Sequence, residues 1–169
     1  MKFIKKVILK NIEHPNITVM RYYTQMNKYL VLSERTSNKY LKKVYCFKYL
    51  KIHRKIFKQF SCDITPGCKL GNIILRHPLG IVVGGCATLE DGVIVHQNVT
   101  FGAARFDEKE RRGINCVQVV KKNTIICAGA KILGDVTIGE NCIIGANTIV
   151  TKDVPNNTVV VGYNKFLEK

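Results

Sequence analysis

The 169-residue sequence lacks several features, and each absence excludes a class of protein. No apolar run approaches the roughly 18 residues of a membrane-spanning helix. No C-x-x-C spacing, P-loop or dinucleotide-binding glycine motif occurs, so neither a zinc site nor a nucleotide cofactor fold is indicated. No helix-turn-helix, zinc finger or aromatic RNA-binding motif occurs either, which disfavours nucleic acid as a partner. Since 46% of the residues are apolar, a folded core is expected rather than disorder.

Acidic residues are scarce in the first part of the chain. Residues 1–60 contain 15 Lys or Arg but only Glu13 and Glu34, whereas the remaining 109 residues contain 12 basic and 10 acidic side chains. The net charge of +15 therefore belongs mainly to a basic front segment. Two or three helices are predicted there, with a break at Pro15, from apolar residues at approximate helical spacing: Tyr40, Val44, Phe47, Ile56 and Phe60.

The apolar stripe of this basic segment has two interpretations. It can pack against the rest of the protein or another subunit, and this is the simpler reading. A basic amphipathic helix can also lie on an anionic membrane surface. The first residues resemble a signal peptide, but Lys10 and Glu13 interrupt the apolar run, so a cytoplasmic protein is predicted, with possible attachment to the inner membrane face left open.

The cysteines do not form a recognisable framework. Their number is odd and their spacing is irregular, so we expect reduced, buried thiols typical of a reducing cytoplasm. The seven cysteines are Cys46, Cys62, Cys68, Cys86, Cys116, Cys127 and Cys142.

Aliphatic residues recur at intervals of six in the second part of the chain. One series is Val83, Leu89, Val95 and Phe101, and the other is Ile114, Val120, Ile126, Ile132, Ile138, Ile144 and Val150. Four residues after most of these positions the side chain is small or β-branched. A period of six fits neither a helix nor a simple strand, but it fits a triangular solenoid with one short strand and one corner per six residues.

The predicted fold class is therefore mainly β, a parallel β-helix of hexapeptide repeats with a short basic α-helical segment in front. We expect the helical segment at 1–60, the β-helix at 61–162 and a C-terminal tail at 163–169. The two six-residue series are out of register, so a charged excursion loop is predicted at 102–113, where function is commonly found.

The stretch 61–162 resembles the serine acetyltransferase branch of the hexapeptide-repeat acyltransferases. The similarity lies in five segments: Asp63-Ile64, His77-Pro-Leu-Gly-Ile-Val-Val-Gly84, Gln97-Asn-Val-Thr-Phe-Gly102, Ala128-Gly-Ala-Lys-Ile-Leu-Gly134 and Ile144-Gly-Ala-Asn-Thr-Ile-Val150. The resemblance implies a left-handed β-helix, a homotrimer, and acetyl-coenzyme A (acetyl-CoA) bound between subunits as acetyl donor. No metal or further cofactor is implied.

The resemblance also implies catalytic roles for two residues. A histidine at the position of His77 acts as general base on the acceptor hydroxyl, because an imidazole that titrates near neutrality can take the hydroxyl proton. Asp63 matches an aspartate that supports this histidine and stabilises the imidazolium. For binding of acetyl-CoA, the matching positions are Ala103, Ala128, Ala146, Thr151 and Lys152.

Candidate acceptor-binding residues are His96, Arg76, Gln97 and Arg112. Of these, His96 is argued from geometry: in an 18-residue coil, residue 96 lies over Pro78, about 4.8 Å along the axis. We therefore expect His96 and His77 to line one face.

The acceptor is predicted from departures from the serine-specific pattern. Arg76, Gly85 and Gly113 stand where that pattern has Asp, Glu and His. Because the loss of an aspartate removes a partner for a substrate ammonium, we predict a carbohydrate acceptor in capsule, O-antigen or exopolysaccharide synthesis. Serine itself, or another small hydroxylated acceptor such as an antibiotic, is the alternative. A non-catalytic scaffold or a membrane-surface binding module is the alternative from another class.

Overall fold

A computed structural model of the protein describes residues 14–107, 112–114 and 116–162. Two helices come first, α1 (Pro15–Arg35) and α2 (Lys39–Phe60), which confirms the predicted helical front. Pro15 fits the first turn of α1 because a proline has no N–H to leave unpaired there. Asn38 begins α2 by accepting hydrogen bonds from the N–H groups of Tyr40 and Leu41. Neither helix is long and apolar enough to cross a membrane.

Short strands make up the rest of the described chain. They are β1 (Asp63–Ile64), β2 (Lys69–Leu70), β3 (Ile74–Leu75), β4 (Val82–Val83), β5 (Thr88–Leu89), β6 (Ile94–Val95), β7 (Thr100–Gly102), β8 (Arg105–Asp107), β9 (Arg112–Ile114), β10 (Gln118–Val120), β11 (Ile125–Ile126), β12 (Lys131–Leu133), β13 (Val136–Ile138), β14 (Ile143–Ile144), β15 (Ile149–Val150) and β16 (Val159–Val160).

Three parallel sheets form the sides of a triangular solenoid. Sheet 1 has the order β1-β4-β7-β12-β15, sheet 2 has β2-β5-β10-β13, and sheet 3 has β3-β6-β11-β14-β16. The chain passes from sheet 1 to sheet 2, then to sheet 3 and back. This arrangement confirms the predicted parallel β-helix.

The six-residue series fills the interior, with one exception. All its members from Val83 to Phe101 and from Val120 to Val150 are buried. Ile114 was predicted to join them, and this is wrong, because it lies in β9, which pairs antiparallel with β8 outside the solenoid. The excursion therefore folds as a hairpin, and Ile114 keeps the period of six only by coincidence of spacing.

Helices α1 and α2 cover the N-terminal end of the solenoid. The buried Tyr23 hydroxyl donates to the carbonyl of Cys68 at 3.0 Å and accepts from the N–H of Leu70 at 2.8 Å. Val19, Met26 and Ile56 are fully buried in the same core. The helices thus protect the edge strands of the first coil, where unpaired backbone groups would otherwise be exposed.

Cys86 and Cys116 form a disulfide, which corrects the expectation of reduced cysteines throughout. Thirty positions separate the two residues in sequence, but successive coils bring them together, with Cα atoms 5.8 Å apart. Sequence spacing alone could not show this pairing. The bond ties the chain after the β8–β9 hairpin to the coil before it. The other cysteines are free, and three of them are buried, namely Cys62, Cys68 and Cys142.

Candidate active site

His77 lies in an enlarged corner of the solenoid between sheet 3 and sheet 1. Leu75 pairs with Val95 and Val82 pairs with Thr100, so the chain spends six residues (76–81) here where the next coil spends four (96–99). The two extra residues push the corner outward. We call the stacked corners between these two sheets the histidine corner.

The backbone of His77 is in the left-handed region, with φ of 51°. Five other residues of the solenoid with positive φ that are not glycine are all asparagines: Asn98, Asn123, Asn141, Asn147 and Asn157. Asparagine adopts this conformation more readily than other residues with a side chain. A histidine in such a corner is therefore not explained by the fold, and strained residues of this kind concentrate at functional sites.

The His77 side chain is exposed and lines a cleft of about 350 Å³. The cleft lies between β3 with the following corner and the start of α1. Asn16 anchors this helix start, because its Oδ1 accepts from the N–H of Leu75 at 2.8 Å. Among the described residues, the His77 ring has no hydrogen-bond partner, so both nitrogens are available to a ligand. The cleft is lined by His14, Asn16, Ile17, Ile74, Leu75, Arg76 and His77.

Asp63 contacts a different histidine from the one predicted. Its Oδ1 lies 2.9 Å from Nε2 of His53 on α2, and no hydrogen bond joins it to His77 within the described chain. Both side chains are partly exposed, at 24% for His53 and 43% for Asp63. Nothing in the sequence pattern singles out His53, because it is one polar residue among many on a basic helix.

The other predicted acceptor-binding residues lie near the same corner or outside the described side chains. Val95 pairs with Leu75, so His96 lies opposite Arg76 and not opposite Pro78 as predicted. The offset is 20 residues rather than 18 because of the enlarged corner. Gln97 follows His96, and its buried Oε1 has no hydrogen-bond partner in the described part of the chain. Arg112 has its backbone in β9, but its side chain is outside the described ones.

The residues predicted to bind acetyl-CoA divide between two corners. Ala128 and Ala146 stack at the histidine corner, since β11 pairs with β14 at an offset of 18 residues. Ala103 and Thr151 follow β7 and β15, at the corner between sheet 1 and sheet 2, which we call the loop corner. Thr151 and Lys152 line a second cleft of about 280 Å³ there. Sheet 1 separates the two corners within one chain.

Comparison with known proteins supports an acyltransferase assignment. The family model for bacterial transferase hexapeptides (six repeats) matches residues 119–152. A putative serine acetyltransferase of Schizosaccharomyces pombe is 40% identical over 104 residues, covering 61% of this chain and 37% of that protein. The serine acetyltransferase of Buchnera aphidicola is 37% identical over 114 residues, covering 67% and 40%. The chain thus spans less than half the length of these curated relatives.

A solved serine acetyltransferase in complex with CoA has the same fold. It is 29% identical, with a TM-score of 0.71, and the match covers 89% of this chain and 55% of that one.

Fold, repeat period and family match together define a hexapeptide-repeat protein of the left-handed β-helix acyltransferase superfamily. Within that superfamily the chain belongs to the serine acetyltransferase branch.

The predicted carbohydrate acceptor, with its link to polysaccharide synthesis, is wrong. The relatives and structural neighbours are serine acetyltransferases, which favours the alternative prediction of serine. The prediction failed because it read the replacement of an aspartate by Arg76 only as the loss of an ammonium partner. A serine acceptor also carries a carboxylate, which a cation can bind.

Proposed function

We propose that the protein is a serine O-acetyltransferase that uses acetyl-CoA as donor and His77 as general base. The observation that supports this most directly is the His77 ring, which is exposed in a cleft, without a protein partner, on a corner that the fold would assign to asparagine. The names of the relatives supply the substrate class. A cytoplasmic location fits this reaction and stays a prediction.

In the proposed reaction, Nε2 or Nδ1 of His77 takes the proton from the serine hydroxyl as its oxygen attacks the thioester carbonyl. The tetrahedral intermediate then collapses and breaks the carbon–sulfur bond. The CoA thiolate leaves and takes the proton back from the imidazolium. O-acetylserine and CoA are the products, and no acetyl group is attached to the protein at any stage.

Asp63 is proposed to stabilise the imidazolium of His77 during this step. Its Oδ1 is held by His53, while Oδ2 has no partner among the described residues. The contact with His53 fixes the carboxylate on the sheet next to the histidine corner, because β1 pairs with β4, which directly follows that corner. His53 would then position Asp63 without touching the substrate.

A homotrimer is proposed, with sheet 3 as the interface. Its outward side chains form an unbroken apolar column in register, whereas the outward residues of sheet 2 are mostly polar. Such a column is typical of an interface. The neighbouring subunit would place its loop corner near the histidine corner, which would unite the two groups of residues proposed to bind acetyl-CoA. The column consists of Ile74, Ile94, Ile125, Ile143 and Val159.

Weak contact with an anionic membrane is the finer proposal for α2. This helix carries eight Lys or Arg and no Asp or Glu, and it exposes Tyr40, Phe47 and Phe57 at 83%, 67% and 55%. Interleaved basic and aromatic residues favour a lipid surface of opposite charge. Sedimentation with vesicles containing phosphatidylserine at low salt tests this. Binding equal to that of neutral vesicles would refute it.

The reaction is tested by incubating the purified protein with acetyl-CoA and L-serine and measuring free thiol. We expect thiol release that depends on serine, with O-acetylserine identified by mass spectrometry. Release that proceeds equally without any acceptor would be thioester hydrolysis and would contradict the proposal.

A further inference from the structure

The cleft beside His77 is lined by cationic and neutral groups only. Of its seven lining residues, Arg76 is permanently charged, His14 and His77 are imidazoles, and none has a carboxylate. An acceptor in this cleft therefore meets no described group that pairs with an ammonium. It meets instead a guanidinium suited to two parallel hydrogen bonds with a carboxylate.

His14 adds a second donor to the same cleft. Its Nδ1 accepts a hydrogen bond from the N–H of Asn16 at 3.3 Å, as the cap of α1. The ring proton is therefore on Nε2, and this N–H has no partner among the described residues. The cap contact thus fixes both the position of the ring and its tautomer, so that the ring presents a donor rather than an acceptor.

We propose that Arg76 and His14 form a binding site for the carboxylate of the acceptor, and that the acceptor's ammonium group is not needed for recognition. The inference rests on the proposed acetyl transfer and specifies its acceptor class as small hydroxy acids, of which serine is one. The carboxylate would be held beside His77, leaving the hydroxyl within reach of the base. Arg76 and His14 are positioning residues for this carboxylate.

Three acceptors on the wild-type protein separate the contributions of the functional groups. L-serine has hydroxyl, carboxylate and ammonium; glycerate has the first two; ethanolamine lacks the carboxylate. We expect acetylation of serine and glycerate, and little or none of ethanolamine. Acetylation of ethanolamine as efficiently as glycerate, or rejection of glycerate while serine reacts, would overturn the inference and leave the acetyltransferase proposal standing.

Variants of the two residues provide the second test. Arg76→Gln should raise KM for serine and glycerate by about 10- to 100-fold, because a charge-assisted hydrogen bond is lost, with a smaller effect on kcat. At position 14, His14→Asn keeps an acceptor for the helix cap but removes the donor, whereas His14→Gln places a donor near the position of Nε2. We expect KM to rise in His14→Asn and to recover partly in His14→Gln; equal KM values in all three proteins would contradict the role of His14.

Binding without turnover distinguishes the two proposals. Glycerate should raise the Tm of the wild-type protein in the absence of acetyl-CoA, and Arg76→Gln should abolish this rise while keeping the circular dichroism spectrum. If no acceptor is acetylated but glycerate still binds through Arg76, the proposed reaction fails and the carboxylate site stands. If glycerate and ethanolamine shift Tm equally, the site is refuted.

Discussion

At the scale of the residue, the central observation is the identity of the left-handed corner positions. The solenoid uses asparagine at five of them and histidine only at position 77, where Gly80 in the same corner also has a positive φ of 64°. A Cβ at position 80 would collide with the side chain of Asn98, so this corner is closely constrained. His77 is thus held on a rigid backbone rather than on a mobile loop.

His77→Asn separates folding from catalysis. Because asparagine accepts the left-handed backbone more readily than histidine, we expect Tm to be unchanged or higher. Loss of the general base should lower kcat by about 10² to 10⁴. Calorimetry and steady-state kinetics check the two effects, and a variant that is both less stable and fully active would contradict this view of the corner.

A second residue, Tyr23, links α1 to the first coil and responds to pH. Burial raises its pKa, so the folded protein keeps the hydroxyl protonated where the unfolded chain ionises near pH 10. Its contribution to stability is therefore complete below pH 10 and is lost as pH rises further. Tyr23→Phe should lower the free energy of unfolding by about 1–3 kcal/mol at neutral pH, because the Leu70 N–H loses its partner.

Denaturant unfolding of Tyr23→Phe at several pH values measures this. The exposed Tyr40, changed to Phe, is the matched control and should show no loss of stability. Equal stability of Tyr23→Phe and the wild-type protein would mean that the helix is held by apolar packing alone.

At the scale of the element, the excursion hairpin β8–β9 is fastened at its base. The disulfide between Cys86 and Cys116 closes a loop that contains the hairpin, β5, β6 and β7. In an unfolded chain such a cross-link removes conformational freedom. The buried Cys68, whose pKa burial raises to about 12, should in contrast be inert towards thiol reagents in the folded protein.

Changing both Cys86 and Cys116 to Ser should lower the free energy of unfolding by about 2–4 kcal/mol under oxidising conditions. Under reducing conditions the variant and the wild-type protein should be nearly equal in stability. Intact mass after alkylation checks the pairing itself. Alkylation of both residues in the oxidised, folded protein would show that the bond does not form.

At the scale of the whole molecule, the six-residue period was sufficient to predict the parallel solenoid, because each strand contributes one inward aliphatic side chain per corner. Handedness came only from family resemblance. The pairs His53–Asp63 and Cys86–Cys116 and the cleft between His14 and His77 could not be predicted, since they join parts of the chain that share no local pattern. The His96 register failed for a related reason: the two extra residues of the corner leave no mark in the period.

The proposed trimer depends on the apolar column of sheet 3. Ile143→Lys places a charge in this column, where Ile143 is 40% exposed in the single chain, and should dissociate the assembly. Thr137→Lys, on the outward face of sheet 2, is the control and should leave it intact. Analytical ultracentrifugation measures both, and a trimer that survives Ile143→Lys would place the interface elsewhere.

The most direct test of the account is serine-dependent thiol release from acetyl-CoA by the wild-type protein and by His77→Asn, side by side at equal concentration. We predict that the wild-type protein forms O-acetylserine and CoA in equal amounts, and that the folded His77→Asn protein does so about 10² to 10⁴ times more slowly. No serine-dependent release by the folded wild-type protein, or equal rates for the two proteins, would contradict the account.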